Sequence, residues 1–307
     1  MRRHPIDRRT FLDATIGASA AGFAAPAVAA TVVATRPIPS TGEPIPVVGL
    51  GSWITFNVGS DPELRAACVA VMRAFFAAGG RLIDSSPMYG SAEAVIGEGC
   101  ATLGRPPQLF SATKVWSGDA AAGRAQIEGS FRLWGVERFD LLQIHNLLGW
   151  REHLPTLRAL KEQGRVRCLG ITTSHGLRHA EVEAILRSEP LDFVQLTLNP
   201  LDRTAEDRLL PLAADRGVAV IVNRTFRQGA LTRALSGVPL PGSARELGAV
   251  SWAQAILAFC LAHPAVTCAI PATTRPEHAR ENLAAAALPL PDRTLRERIA
   301  RDVAIAL

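Results

Sequence analysis

The chain is poor in lysine and tyrosine: among its 307 residues only Lys114 and Lys161 are lysines, and Tyr89 is the sole tyrosine. Its five cysteines are odd in number and lack the close pairs of a zinc site, so we expect neither a disulfide scaffold nor a bound metal. Beyond the N-terminal region there is no run of 18 strongly apolar residues, which excludes a protein with several membrane spans. The net charge of +5 is spread along the chain, so no nucleic-acid partner is expected.

The first thirty residues are typical of an export signal. Arg8-Arg9 is followed by Thr-Phe-Leu, and a mildly apolar run rich in alanine and glycine closes with Ala27-Val28-Ala29, small residues at the positions that a signal peptidase reads. This resembles a twin-arginine (Tat) signal. We therefore expect a signal peptide over residues 1–29, cleaved at about Ala29, with the Tat translocation machinery as a partner. The mature protein would be periplasmic or exported, without stable membrane insertion. An uncleaved anchor or a chance basic start, with a cytoplasmic protein if the signal is not used, is the alternative.

The remainder alternates short apolar runs with longer stretches of helical period. Each run is mostly apolar throughout, as expected for a strand that is covered on both faces. The eight predicted strands are Val47–Trp53, Arg81–Ser86, Leu109–Val115, Asp140–Asn146, Val166–Thr173, Asp192–Asn199, Ala219–Phe226 and Val266–Ala272. Helices are predicted between them, for example over Asp61–Ala78, Leu154–Gln163, Thr204–Arg216 and Ser251–Ala262.

This pattern predicts an α/β fold, a (β/α)8 TIM barrel that forms a single domain over residues 31–307. The segment Thr31–Pro46 is interpreted as a β-hairpin that closes the bottom of the barrel. A doubly wound sheet is the alternative, but Gly49-Leu50-Gly51 lacks the third glycine of a dinucleotide-binding turn. The stretch Phe226–Gly248 is predicted to be a long loop over the C-terminal face.

Four residues with acid-base chemistry lie at or just beyond the ends of three neighbouring predicted strands: Asp84, Tyr89, Lys114 and His145. The carboxyl ends of parallel barrel strands meet at one face, so these side chains should surround one cavity. A phenol with a pKa of about 10 is a poor proton donor near neutrality. A nearby ammonium lowers that pKa, a carboxylate keeps the ammonium charged, and an imidazole can orient a carbonyl oxygen. The sequence therefore predicts a proton-donating site for a carbonyl substrate.

In this order and spacing the four residues resemble the Asp-Tyr-Lys-His tetrad of the aldo-keto reductases. The resemblance covers most of residues 45–290, including Gly49–Trp53, Lys114–Trp116 and the run Ile270–Asn282. It implies an NAD(P)H-dependent enzyme that interconverts a carbonyl and an alcohol, with Tyr89 as proton donor, Lys114 and Asp84 tuning it, and His145 positioning the carbonyl. In that family the dinucleotide lies extended across the barrel mouth.

The resemblance also implies cofactor and substrate residues. Asn223 stands where many members have a tyrosine against the nicotinamide ring, which would leave Arg224 or Phe226 to hold the ring. Ala272 and His278 replace a lysine and an arginine that many members set against the 2′-phosphate of NADP, and Arg275 could substitute, so NADP(H) is favoured over NAD(H). Trp53, Trp116 and Asn146 are candidate substrate-pocket residues. The candidate cofactor-binding residues are Gly51, Ser52, Thr172, Thr173, Gln195, Asn223, Arg224, Phe226, Gly229, Thr273, Thr274, Arg275, His278, Glu281 and Asn282.

Two other functions remain open at this point. The departures at Asn223, Ala272 and His278 suggest a nicotinamide-cofactor-binding sensor or partner subunit with weak turnover. A barrel-strand lysine such as Lys114 could instead form a Schiff base with a carbonyl substrate, as in a lyase.

Overall fold

The structure, a computed structural model, describes residues 33–307. The export signal predicted over residues 1–29 lies outside this range. The strands are β1 (Thr35–Pro37), β2 (Pro44–Pro46), β3 (Leu50–Gly51), β4 (Leu82–Asp84), β5 (Phe110–Val115), β6 (Phe139–Ile144), β7 (Val166–Thr172), β8 (Phe193–Thr197), β9 (Ala219–Asn223) and β10 (Val266–Ala269). The helices are α1 (Pro62–Ala77), α2 (Ala92–Thr102), α3 (Ala120–Trp134), α4 (Trp150–Glu162), α5 (His179–Ser188), α6 (Leu209–Asp215), α7 (Ala230–Ala234), α8 (Gly242–Glu246), α9 (Trp252–Leu261), α10 (Pro276–Ala284) and α11 (Arg293–Ile305).

Strands β3 to β10 form one parallel sheet in sequence order, and its two edges meet. Parallel bridges join Val48 to Ala269 and Gly51 to Ala272. The backbone amide of Gly49 donates to the Ala269 carbonyl at 2.8 Å, and that of Gly51 donates to the Pro271 carbonyl at 3.0 Å. The sheet thus closes into the predicted (β/α)8 barrel.

Two layers of apolar side chains hold the barrel together. One lies between the strands and the surrounding helices, and the other fills the barrel interior. The hairpin β1–β2 contributes Ile38 and Ile45 to the interior layer, where both are fully buried. The hairpin therefore closes the N-terminal end of the barrel as predicted, because its apolar residues complete the core from below.

Helix α1 shows how local sequence sets an element. The Asp61 side chain accepts hydrogen bonds from the backbone amides of Glu63 and Leu64, and Pro62 occupies the first turn. A cap of this kind satisfies amides that have no partner within the helix. The buried face of the helix, which includes Val71, Met72 and Phe75, then packs into the outer core.

Two predicted segments differ from the structure. The helix predicted over Thr204–Arg216 is broken into a 3-10 turn at Thr204–Glu206 and α6, because Arg208 leaves the helical region of backbone conformation. The stretch Phe226–Gly248 is not a plain loop, since it contains α7 and α8. Among residues 33–307 no helix combines the length and apolarity needed to cross a bilayer.

Candidate active site

The four tetrad candidates are brought to the carboxyl ends of three adjacent strands. Asp84 is the last residue of β4, and Tyr89 closes a 3-10 turn that begins three residues later. Lys114 lies within β5, and His145 directly follows β6. Because these strands are parallel neighbours, their ends meet at the same face of the barrel.

Lys114 and Asp84 form an ion pair sealed inside the barrel. The Lys114 Nζ lies 2.5 Å from Asp84 Oδ2, and it also donates to the backbone carbonyl of Ser85 at 2.7 Å. Asp84 Oδ1 accepts hydrogen bonds from Gln143 Nε2 and Gln195 Nε2, each at 3.1 Å. Lys114 is 0% exposed and Asp84 is 2% exposed. A buried pair needs such additional hydrogen bonds, because each ion has given up its water.

The sealed pair keeps Lys114 charged. Burial alone would lower the pKa of Lys114, but the charges of Asp84 and Tyr89 and the hydrogen bonds to them outweigh it and raise that pKa above its ordinary value. Lys114 therefore acts as a fixed ammonium directly beneath the phenol of Tyr89, with its Nζ 5.1 Å from the centroid of the Tyr89 ring.

Tyr89 departs from the simplest expectation for its acidity. The Lys114 charge lowers the pKa of Tyr89 as predicted, but burial raises it by more, so the pKa of Tyr89 lies above its ordinary value. The phenol is consequently neutral at neutral pH and keeps its proton. The sequence revealed the ammonium but not the extent of burial, which is decided by packing against Trp53 and His145 at 6.4 and 5.6 Å between ring centroids.

His145 stands with its ring edge-on to Tyr89, at an interplanar angle of 85°. Burial, assisted by the charge of Lys114, lowers the pKa of His145 to about 3. The imidazole is therefore neutral at any physiological pH. Its Nδ1 lies 2.9 Å from the Ser86 hydroxyl.

A cavity of about 300 Å³ opens at this face of the barrel. Asp84, Tyr89 and His145 lie on its wall, while Lys114 stays behind them and does not reach it. The other predicted residues that line it are Ser52, Trp53, Asn146, Thr172, Thr173, Gln195, Asn223, Arg224, Phe226 and Gly229.

Three predicted contact residues line neither this cavity nor the adjoining one described below. Trp116 is 42% exposed, and Gln126 of α3 holds its backbone amide at 2.6 Å and its carbonyl at 3.2 Å. Gly51 serves barrel closure, since a Cβ there would come within 2.7 Å of the Ile270 carbonyl oxygen. Thr274 is exposed and lines neither cavity.

A second cavity of about 770 Å³ adjoins the first, and Phe226, Thr232 and Ala272 line both. The predicted adenosine-end residues on its wall are Thr273, Arg275, His278, Glu281 and Asn282. Together the two cavities form an elongated site with a polar end beside the tetrad and a basic end beside α10. This shape and this distribution of donors fit an extended dinucleotide.

At the inner end of this site the polar side chains are tied to one another. Asn223 accepts from Thr197 Oγ1 at 2.7 Å and donates to the Thr173 carbonyl at 2.9 Å and to Gln195 Oε1 at 3.3 Å. The Asn223 amide therefore bonds to residues at the ends of the neighbouring strands. It does not replace the tyrosine ring that many family members stack against the nicotinamide. Gln195 has its own amide nitrogen committed to Asp84, which leaves its oxygen side for Asn223.

Several site residues escaped the sequence prediction. Gln143 holds Asp84, and it could have been found from its spacing, because it lies two residues before His145 and so faces the barrel interior with it. Ser86 has a weaker signal, a hydroxyl two residues after the strand-end acid. Additional cavity-lining residues are Ile54, Met88, Ser174, His175, Thr225, Gln228, Thr232, Ile270, Pro271 and Ala272, and nothing in the sequence pattern singled them out as a group.

Comparison with known proteins places this geometry in a family. Residues 47–297 match the model of the aldo/keto reductase family. Methylglyoxal reductase YeaE of Escherichia coli is 28% identical over 78% of this chain and 85% of its own length. The NADH-specific methylglyoxal reductase of the same organism is 26% identical over 68% and 72%. The crystal structure of an aldo/keto reductase from Klebsiella pneumoniae in complex with NADP and acetate superposes with a TM-score of 0.72 at 24% identity, over 85% of this chain and 92% of that one. The family match spans most of the chain, and the chain therefore belongs to the aldo/keto reductase family.

Proposed function

We propose that this protein is an NAD(P)H-dependent oxidoreductase that interconverts a carbonyl and an alcohol, with Tyr89 as the proton donor. One observation carries the assignment. The neutral phenol of Tyr89 and the neutral imidazole of His145 face one cavity, while the Lys114–Asp84 pair lies sealed directly behind them. Carbonyl reduction needs a proton donor and an oxygen-orienting group in this arrangement.

Each residue of the tetrad has a separate role in the reaction. A reduced nicotinamide dinucleotide, when bound in the elongated site, supplies the hydride. Tyr89 Oη gives its proton to the oxygen that becomes the alcohol. The ammonium of Lys114 stabilises the phenolate left on Tyr89, and Asp84 holds that ammonium in place, with Gln143 and Gln195 fixing the carboxylate. Solvent then returns a proton to Tyr89.

The Schiff-base lyase is disfavoured by the environment of Lys114. A nucleophilic amine must be neutral and must reach the substrate. Lys114 is fully buried, does not line the cavity and is bonded to both Asp84 and the Ser85 carbonyl. Its pKa is raised, because the charge of Asp84 outweighs the effect of burial. A sensor with weak turnover is disfavoured by the completeness of the catalytic set.

For the cofactor we favour NADP(H) over NAD(H). The second cavity is lined by Arg233 and Arg275, which offer positive charge for a 2′-phosphate, and by His278, whose ring can add a hydrogen bond. Arg275 is bonded through its Nε to Glu277 at 2.6 Å, so the other guanidinium nitrogens are the ones available. The similarity to the NADH-specific methylglyoxal reductase of Escherichia coli supports NAD(H) instead. The ratio of kcat/KM for NADPH and NADH in the wild-type protein decides between them.

For the location we propose export by the Tat pathway, with the signal removed at about Ala29. The support is the Arg8-Arg9 pair, the mild apolar run and the Ala27-Val28-Ala29 ending. A mature N-terminus at Ala30 in the exported fraction, lost when both arginines are replaced by lysine, is the expected result.

Replacing Tyr89 by phenylalanine tests the activity directly. NAD(P)H oxidation with a panel of aldehydes, ketones and 2-oxoaldehydes should fall by about 10²- to 10⁴-fold in kcat, the usual loss for a general acid. Dinucleotide affinity and the thermal midpoint should stay close to wild type, because the ring is retained. A Tyr89→Phe protein that keeps its full rate would overturn the proposal.

A further inference from the structure

The hydrogen bond between Ser86 and His145 has no part in the chemistry described so far. Ser86 is 0% exposed and His145 is 5% exposed, and the serine Oγ lies 2.9 Å from the imidazole Nδ1. Ser86 does not line the cavity, whereas His145 does. The Nδ1 edge of the ring is therefore turned to the protein, and the Nε2 edge is left for the substrate.

The direction of this hydrogen bond follows from the other contacts of Ser86. Its Oγ already accepts a hydrogen bond from the Met88 backbone amide at 3.2 Å. A hydroxyl carries one hydrogen, and in residues 33–307 the only acceptor in reach of that hydrogen is His145 Nδ1. Leaving a buried hydroxyl hydrogen unbonded costs about 1–3 kcal/mol. The Ser86 hydroxyl therefore donates to Nδ1, which must be bare.

The charge state of His145 settles where the ring hydrogen is. Burial, with the charge of Lys114, brings the pKa of His145 to about 3, so the ring holds a single hydrogen at neutral pH. A bare Nδ1 then requires that the hydrogen sit on Nε2.

We propose that Ser86 is a positioning residue that fixes His145 in the Nε2–H tautomer, so that His145 donates a hydrogen bond to the carbonyl oxygen of the substrate. This deepens the proposed function and rests on it for the identity of the substrate. The opposite tautomer would present a lone pair to the carbonyl oxygen and repel it.

The same hydrogen bond makes His145 a second donor beside Tyr89 on the wall of the cavity. The phenol and imidazole rings are neighbours, with centroids 5.6 Å apart. With Nε2 protonated, both side chains point a donor at the same oxygen.

The tautomer can be measured without any substrate. Long-range 1H–15N correlation spectra of protein labelled in its seven histidines report which ring nitrogen is protonated, and a His145→Gln variant identifies the His145 signals. We expect a protonated Nε2 and a bare Nδ1 from pH 5 to pH 9 in the wild-type protein. In Ser86→Ala this pattern should weaken into a mixture of tautomers, and Ser86→Thr, which keeps the hydroxyl, should restore it.

Ser85→Ala is the matched control. Its hydroxyl is also buried and adjacent in sequence, but has no hydrogen-bond partner among the described residues. Removing it should leave the His145 pattern as in wild type.

Kinetics provide a second measurement. Ser86→Ala should lower kcat about 10- to 100-fold, less than the full loss of an oxygen-stabilising donor, with KM for the dinucleotide unchanged.

Two results would overturn the inference. One is a wild-type spectrum with hydrogen on Nδ1 or with both nitrogens protonated near neutrality. The other is a Ser86→Ala spectrum and kcat identical to wild type. If the enzyme shows no carbonyl reduction at all but the tautomer pattern is as expected, the proposed function fails while the role of Ser86 in fixing the imidazole stands.

Discussion

The two ends of the barrel differ in how their charged side chains are paired and how far those pairs are exposed to solvent. At the bottom, Arg167, Arg81 and Arg36 are bonded to carboxylates or to backbone carbonyls. Arg167 pairs with Glu43 and with Asp140 at 2.6 Å, and Arg81 pairs with Glu43 at 2.8 Å. Arg36 donates to three backbone carbonyls beside β10. These contacts tie the hairpin to the strands above it, so this end stabilises the barrel.

At the mouth, some buried polar atoms lack hydrogen-bond partners, and several residues adopt an unfavourable backbone conformation. Ser85 Oγ and Gln143 Oε1 are buried there without a hydrogen-bond partner in the described part of the chain. Of the nine non-glycine residues with positive φ in residues 33–307, eight follow barrel strands at this end, and Arg105 is the exception. Strain of this kind collects at functional sites and is held by the rest of the fold. The bottom thus spreads its charge over part-exposed pairs that share partners, whereas the mouth depends on one sealed pair, Lys114 with Asp84.

Substitution of one cation at each end should test this difference between a sealed pair and part-exposed pairs. Lys114→Met leaves Asp84 buried and unpaired, which should lower the free energy of unfolding by about 3–5 kcal/mol. It should also lower kcat by at least about 10²-fold, because the phenolate of Tyr89 loses its counter-charge. Denaturant unfolding and NAD(P)H oxidation measure the two effects.

Arg167→Met is the matched change at the bottom. The side chain is 30% exposed and Arg81 remains to pair with Glu43, so the unfolding free energy should fall by only about 1 kcal/mol. Its kcat should equal that of wild type. An Arg167→Met enzyme with impaired kcat, or a Lys114→Met enzyme as stable as wild type, would break the distinction between the two ends.

A smaller effect is expected at Arg224, a mouth arginine that has no carboxylate partner among residues 33–307. Its Nη1 lies 3.3 Å from His175 Nδ1, and the amide oxygen of Gln228, in its satisfied orientation, lies 2.7 and 2.8 Å from its two terminal nitrogens. A guanidinium with neutral partners on the wall of the site is free to bind an anionic part of the dinucleotide. Arg224→Gln should weaken dinucleotide binding by about 10-fold, the size of one hydrogen bond to a charged group. Fluorescence titration measures this, and Arg81→Gln at the bottom should leave the affinity unchanged.

The fold could be predicted because the strand signal is continuous. Each barrel strand is buried on both faces and therefore gives an apolar run. Seven of the eight predicted runs contain an observed strand, and the eighth overlaps β6, which begins one residue earlier at Phe139. Breaks caused by long-range contacts could not be predicted. The helix at 204–216 is one case, because Glu206 at the end of its 3-10 turn is drawn to Arg203 and to Arg296 of α11.

The positions of the catalytic residues could be predicted, because these residues lie at the ends of predicted strands. Features that depend on side-chain packing could not. The sequence placed Asp84, Tyr89 and His145 on one cavity and Lys114 beside them. It could not show that Trp116 does not line the cavity, because position at a strand end does not say where a side chain packs. Nor could burial be estimated from motifs, and burial reverses the expected direction for the acidity of Tyr89.

The smallest expected effect is a shift in the pKa of Tyr89. Because Tyr89 is the sole tyrosine, alkaline difference spectroscopy reports its ionisation alone. Burial raises its pKa more than the Lys114 charge lowers it, so the folded protein should titrate above the value of about 10 found for the unfolded chain. In the Lys114→Met variant the midpoint should rise further.

The stability of the protein should follow the same sign. A raised folded pKa means that the native state holds the phenol proton more tightly than the unfolded chain does. This contribution to stability is fully present below pH ~10 and is lost as pH rises through the folded pKa of Tyr89. Tyr89→Phe should remove that alkaline dependence, whereas Arg167→Met should retain it. A folded midpoint below that of the unfolded chain would mean that Lys114 outweighs burial, and that charge governs the mouth of the barrel as it governs the bottom.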